Sequence, residues 1–173
     1  MLDQIPVIDL FAGPGGLGEG FSRFRTGTQY PFRIGVSVET DPHAHATLTL
    51  RSFFRQFPAG KVPAAYYHYL RGNYSLEDPF KGWPEHAAAA TAHTLGRPHE
   101  LGVPEDDKRI DRAIRRALKT TPDRRWTLIG GPPCQAYSLA GRSRRAREDR
   151  GDFESDKRHF LYEEYLRIIR KFK

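Results

Sequence analysis

The chain has 173 residues and a formal net charge of +7, long enough for one domain with a real core and basic enough to favour a polyanionic partner. Its single cysteine excludes an internal disulfide framework. No run of about 18 apolar residues offers a membrane span, and the start Met1-Leu2-Asp3-Gln4 lacks the basic and apolar pattern of a signal peptide. The expectation is a cytoplasmic protein, nucleoid-associated if bacterial, without membrane or metal.

Pro6 to Phe11 is a short apolar run closed by a glycine cluster, after which Leu17, Phe21 and Phe24 recur at helical spacing. Strand, tight turn and helix are predicted in that order. Arg33 to Glu39 reads as a second strand, and Pro42 to about Phe57 as a helix opened by proline at its first position. Alternation of strand and helix predicts a parallel sheet.

From about residue 58 to 105 the pattern weakens, and this stretch reads as an insertion. Ala65 to Tyr69 is aromatic, Gly72 to Trp83 is turn-rich, and Glu85 to Thr94 is alanine-rich and helical in character. Its tyrosines are able to stack on bases, but such rings more often fill a local core, so no function is assigned to them. Asp106 to Thr120 restores a helix with Ile110, Ile114, Ala117 and Leu118 on one face and basic residues on the other. Trp126 to Ile129 supplies a further strand. About Asp156 to Phe172 forms a last helix, with Leu161, Tyr165, Ile168, Ile169 and Phe172 as an apolar stripe.

The strand ending at Ile129 runs into Gly130-Gly131-Pro132-Pro133, which stops it abruptly, because proline removes a backbone donor and fixes its own dihedral. Cys134 therefore lies in a rigid turn at a strand end. A lone cysteine is ordinarily a small buried hydrophobe; this setting makes it a candidate nucleophile. Arg142, Arg144, Arg145, Arg147 and Arg150 follow closely. Such a charge run is ordinarily a solvated surface, but beside a nucleophile it suits phosphate binding.

Gly13, Gly15 and Gly18 form G-x-G-x-x-G directly after the first strand and at the opening of a helix, the setting in which that pattern receives a nucleotide-like ligand. Glu39, at the end of the second strand, is placed for a carboxylate that accepts from two ribose hydroxyls. These features alone leave NAD, FAD, S-adenosylmethionine and an empty tight turn all open.

Three segments in order, Asp9-Leu-Phe-Ala-Gly-Pro-Gly-Gly, Val38-Glu-Thr-Asp and Gly131-Pro-Pro-Cys-Gln-Ala-Tyr-Ser, make the chain resemble the DNA (cytosine-5)-methyltransferase family. The block from Asp156 to Leu166 extends the likeness, while residues 58–120 are unmatched. The resemblance implies an α/β, Rossmann-like S-adenosylmethionine-dependent methyltransferase fold, here in incomplete form: the N-terminal part of a catalytic domain without its target-recognition region. It implies S-adenosyl-L-methionine as cofactor, S-adenosyl-L-homocysteine as product and double-stranded DNA as partner.

By position in the family's motifs, Phe11, Ala12, Gly13, Gly15 and Gly16 would wrap the methionine moiety. Glu39 would hold the ribose, Thr40 and also Asp41 would flank the adenine, and Pro132 would border the methyl-donor pocket. Cys134 would be the nucleophile that adds to carbon-6 of a flipped cytosine, and Gln135, Ser138, Arg142, Arg144 and Arg145 would contact the strand. Asp106 or Asp107 stands as a guess for the acidic residue that meets the adenine amino group. The family's later Glu-Asn-Val motif is not found in the sequence, so the expectation is a truncated, split or degraded form with little activity alone, its C-terminal half as a separate partner chain. An RNA cytosine methyltransferase, a non-catalytic cofactor- or nucleic-acid-binding subunit and a nicotinamide-dependent oxidoreductase are the competing readings.

Overall fold

The computed structural model describes residues 4–119, 125–132 and 161–173. Three parallel strands form the sheet in the order β2-β1-β3: β1 is Ile5–Leu10, β2 is Phe32–Val38 and β3 is Thr127–Ile129. The central strand is the most apolar, with Val7, Ile8 and Leu10 wholly buried, as a strand covered on both faces must be. Helices α1 (Gly16–Arg23) and α2 (Pro42–Arg55) follow β1 and β2 in turn. The expected strand–helix alternation is thus present, with boundaries shifted by one or two residues.

The two sheet faces carry separate cores. Ile8, Leu10, Val36 and Val38 meet Leu101 together with Ile110 and Ile114 of α6 (Pro104–Leu118) and Ile168 of α7 (Leu161–Phe172). On the other face Val7, Ile34 and Ile129 gather Phe21 of α1 and Phe32. Ile34 and Val36 would share a face in an unbroken strand, but the register slips between Val7 and Ile8. Gly35 falls at this irregularity, and a Cβ there would stand 2.9 Å from the Ala117 Cβ of α6. Its bareness lets α6 lie close on the sheet.

α6 and α7 are also joined by charge. Arg167 donates to Asp111 at 2.9 Å and to Asp107 at 3.1 Å, and within its own helix to Glu164 at 2.6 Å. Lys171 bonds the second oxygen of Asp111. With Ile168 wholly buried beneath these pairs, α7 is seated on α6 by both an apolar stripe and a clasp.

Residues 58–105, read from sequence as an insertion, hold three helices: α3 (Ala64–Leu70), α4 (Glu77–Gly82) and α5 (Pro84–His93). They enclose a small second core of Leu50, Phe53, Tyr66 and Ala90, lined by Phe57, Phe80 and Trp83. Tyr66 thus serves packing, whereas Tyr67 and Tyr74 remain exposed. The turn-rich reading of Gly72 to Trp83 is corrected by α4. Asp78 accepts from the Ser75 backbone N–H at 2.7 Å and from its hydroxyl at 2.8 Å, which organises the start of that helix despite the surrounding glycines and proline.

The chain then returns to the sheet. His45 of α2 contacts the Thr94 carbonyl at 2.8 Å, and the His99 N–H donates to the Glu39 carbonyl at 2.9 Å. This stretch therefore ends against the carboxyl end of β2. Among the described residues no helix is long and apolar enough to cross a membrane.

Candidate functional site

The glycine turn lies where β1 gives way to α1, at the carboxyl end of the sheet, the edge where parallel α/β sheets bind ligands. Phe11 opens it with φ of 55°, a left-handed conformation unusual for a residue with a side chain. Gly13 and Gly15 follow with φ of 56° and 89°. A Cβ on Gly15 would stand 2.8 Å from the Leu48 Cδ1, which would have to shift, and the left-handed backbone itself favours glycine there. Around Gly13 and Gly16, by contrast, nothing lies within 4 Å of a built Cβ. The turn is open on that side.

α1 starts from Gly15 without a side-chain cap. Gly15 itself offers the first N–H groups no side-chain acceptor, and an uncapped helix start is receptive to an anion.

Glu39, directly after β2, reaches across to this turn. One carboxylate oxygen accepts the Gly13 N–H at 2.6 Å, and the other accepts the N–H groups of Thr40 at 2.9 Å and Asp41 at 2.7 Å. Three backbone donors therefore orient one carboxylate. Ala12 ties the same strands together through its N–H to the Val38 carbonyl at 2.9 Å. Asp41 in turn caps α2 by accepting from the Ala44 N–H at 2.7 Å, so its side chain is used structurally. Phe11, Ala12, Gly13, Gly15, Gly16, Glu39 and Thr40 all come together at this one strand edge.

Beneath the turn lies a charge that the sequence reading did not single out. Asp9, within β1, is fully buried, and neither carboxylate oxygen has a hydrogen-bond partner among the described residues. Burial pushes its pKa up to about 6, against the opposing pull of the Arg55 guanidinium and the Gly18 N–H. The Gly18 N–H acts here as a nearby dipole, short of hydrogen-bond geometry. A Cβ on Gly18 would stand 3.0 Å from Asp9 Oδ2, which explains the third glycine of the motif by packing. An acidic residue inside the run Val-Ile-Asp-Leu was the available signal.

β3 brings the second half of the site alongside. Asp9 pairs with Ile129, and Gly130 continues with φ of 137°. A Cβ on Gly130 would stand 1.6 Å from the Leu10 carbonyl oxygen, so the backbone here approaches β1 too closely for any side chain. Pro132 follows half-buried. Cys134, Gln135, Ser138, Arg142, Arg144 and Arg145 lie outside the described residues.

α7 contributes Tyr165, also missed from sequence because its place in an apolar stripe reads as packing alone. Its ring stacks on Phe11 with centroids 5.8 Å apart and planes at 18°. Its hydroxyl is buried without a partner among the described residues, and burial, reinforced by Asp9, pushes its pKa up to about 12.

The two acidic guesses for an adenine contact both carry protein partners. Asp106 accepts from Arg97 at 2.7 Å and from the Glu100 N–H at 2.9 Å, while Asp107 accepts from the Gly102 N–H and from Arg167. Both carboxylates are engaged in fastening α6 to its neighbours. His99, 2 % exposed, is held below the ordinary histidine value by burial and packs between this cluster and Glu39. Among the described residues no group of three or more metal-ligating side chains occurs.

Residues 99–173 match the family described as C-5 cytosine-specific DNA methylase. The chain is 34 % identical over 184 residues to the type II methyltransferase M.Bpa9945I of Bacillus paralicheniformis, an alignment that covers 96 % of this chain and 38 % of that protein. It is 26 % identical over 167 residues to the type II methyltransferase M1.HphI of Haemophilus parahaemolyticus, across 96 % of this chain and 29 % of the relative. The chain thus spans roughly a third of the length of these curated relatives. No solved structure gives a significant match. The family match over residues 99–173, together with similarity along nearly the whole chain to two type II methyltransferases, makes the chain similar to C-5 cytosine-specific DNA methylases from its first strand to α7.

Proposed function

We propose that the chain binds S-adenosyl-L-methionine at the glycine turn and takes part in methyl transfer to carbon-5 of cytosine in double-stranded DNA, with Cys134 as the covalent nucleophile. The observation that carries the cofactor reading is the bond from the Gly13 N–H to Glu39 Oε2 at 2.6 Å, which fixes a carboxylate at the strand edge beside an open glycine surface and an uncapped helix start. These residues fit the group. The α1 N-terminus suits its carboxylate, Gly13 and Gly16 leave room for its backbone approach, and Glu39 is the acceptor for ribose hydroxyls. When bound, the cofactor supplies an electrophilic methyl group.

The chain's own part is to make carbon-5 nucleophilic. The Cys134 thiolate adds to carbon-6 of the cytosine, which raises electron density at carbon-5. After methylation, loss of the carbon-5 proton re-forms the ring double bond and expels the thiolate. A free thiol, with a pKa of about 8.5, is mostly protonated at neutral pH, so the reading assigns Arg142, Arg144 and Arg145 a double part: favouring the thiolate and gripping phosphates around a flipped base.

Calorimetry with S-adenosylhomocysteine and, separately, NADH tests the cofactor reading. Binding of the first alone is expected; binding of NADH alone overturns it. Transfer of a tritiated methyl group to mixed-sequence DNA, read as labelled 5-methylcytosine, tests the chemistry. Cys134→Ala is expected to abolish the label, and undiminished transfer by that variant removes Cys134 from the mechanism. Parallel reactions with transfer RNA decide between the DNA and RNA readings.

A further inference from the structure

We infer that Tyr165 is a positioning residue for the cofactor turn, holding the Phe11 ring from a helix far away in sequence. The inference rests on the reading of the glycine turn as a cofactor site. Phe11 has φ of 55°, a conformation that a residue with a side chain keeps only when its surroundings enforce it. The Tyr165 ring supplies that enforcement from above the strand end, stacked at 5.8 Å and 18°.

The same side chain reaches the other strand. A Cβ on Gly130 would stand 2.6 Å from the Tyr165 hydroxyl oxygen, so that hydroxyl lies against the point where β3 yields to the Pro132 turn. One residue therefore touches the ends of both strands that flank the candidate methyl-donor pocket. Its own placement is fixed: Ile168 is buried against the sheet core, and Arg167 is bonded to Asp107 and Asp111 of α6. A buried hydroxyl without a partner among the described residues is a penalty that phenylalanine would avoid. The ring and the hydroxyl are thus separable by substitution.

The test is the affinity of the chain for S-adenosylhomocysteine, measured by calorimetry alongside thermal unfolding for Tyr165→Phe, Tyr165→Leu, Phe11→Leu and the Phe11→Leu/Tyr165→Leu pair. Tyr165→Phe is expected to bind within twofold of the unaltered chain. Tyr165→Leu is expected to bind at least tenfold more weakly at a temperature where it is folded, and to add less than twofold to the loss caused by Phe11→Leu. That non-additivity is the mark of action through Phe11. Unchanged affinity in Tyr165→Leu, or losses that multiply in the pair, overturns the inference. Equal losses in the Phe and Leu variants overturn it in favour of direct hydroxyl contact. Absence of binding by the unaltered chain overturns the cofactor reading as well, which separates the two failures.

Discussion

Glu39 and Gly13 are joined by a hydrogen bond of 2.6 Å that closes the gap between the end of β2 and the turn after β1. The carboxylate holds two further N–H groups, so it orders its own loop and the glycine turn together. Glu39→Ala leaves three backbone donors to solvent and removes the proposed ribose acceptor. Expected are a loss of about 1–2 kcal/mol in stability by denaturant unfolding and a fall of more than tenfold in S-adenosylhomocysteine affinity by calorimetry. A variant that binds as tightly as the unaltered chain would remove Glu39 from the site.

Gly130 offers a sharper stability test. With φ of 137° and the Leu10 carbonyl oxygen 1.6 Å from any Cβ, Gly130→Ala forces β3 away from β1. The expected cost exceeds about 3 kcal/mol, since backbone must move rather than a flexible side chain. Gly13→Ala meets no atom within 4 Å and strains only its own φ of 56°, so its cost should stay near 1 kcal/mol, on the order set by the left-handed conformation alone. Urea midpoints of the two variants check the difference.

Asp9 predicts a pH dependence of opposite sign to that of a salt-bridged carboxylate. Its folded pKa, pushed up to about 6, stands above the ordinary aspartate value of 3.8, so the folded state binds the proton more tightly than the unfolded state does. Its contribution is therefore fully present below about pH 4 and is lost as pH rises through 6, a change on the order of 2–3 kcal/mol. Asp9→Asn abolishes this titration. The stability of Asp9→Asn relative to the unaltered chain should rise from pH 4 to pH 7 and then level off, as read from denaturant unfolding at each pH. A flat difference would mean that Asp9 remains ionised throughout.

The arginines after Cys134 predict a salt effect. If Arg142, Arg144 and Arg145 each neutralise a phosphate, replacing all three by alanine lowers the slope of log affinity against log salt by about 0.9 per residue. Fluorescence anisotropy with duplex DNA at several salt concentrations measures it. An unchanged slope would return these residues to the role of a solvated surface.

Much of the fold was legible in sequence because its signals are local. An apolar run closed by glycine marks β1, Pro42 at the first helical position marks α2, and the alternation of Ile110 and Ile114 with basic residues marks α6; each depends on sterics and hydrogen bonds among near neighbours. The gathering of Phe11 to Gly16 with Glu39 was legible for the same reason, since motif spacing and strand–helix alternation bring two adjacent strand ends together. Local signals failed at α4, where Asp78 and Ser75 organise a helix among turn-forming residues. Nor do they carry the partners of Asp106, whose carboxylate accepts from Arg97 and the Glu100 N–H.

The sequence by itself determined the order of elements, the glycine turn and the chemical identity of the candidate nucleophile, because those follow from residue type and short-range spacing. Only the tertiary structure decided that Asp9 is buried without a partner among the described residues, its pKa pushed up by burial, that Gly130 presses on Leu10, and that Tyr165 stacks on Phe11. Desolvation and contact between remote segments arise when the chain closes on itself, and a linear pattern carries neither.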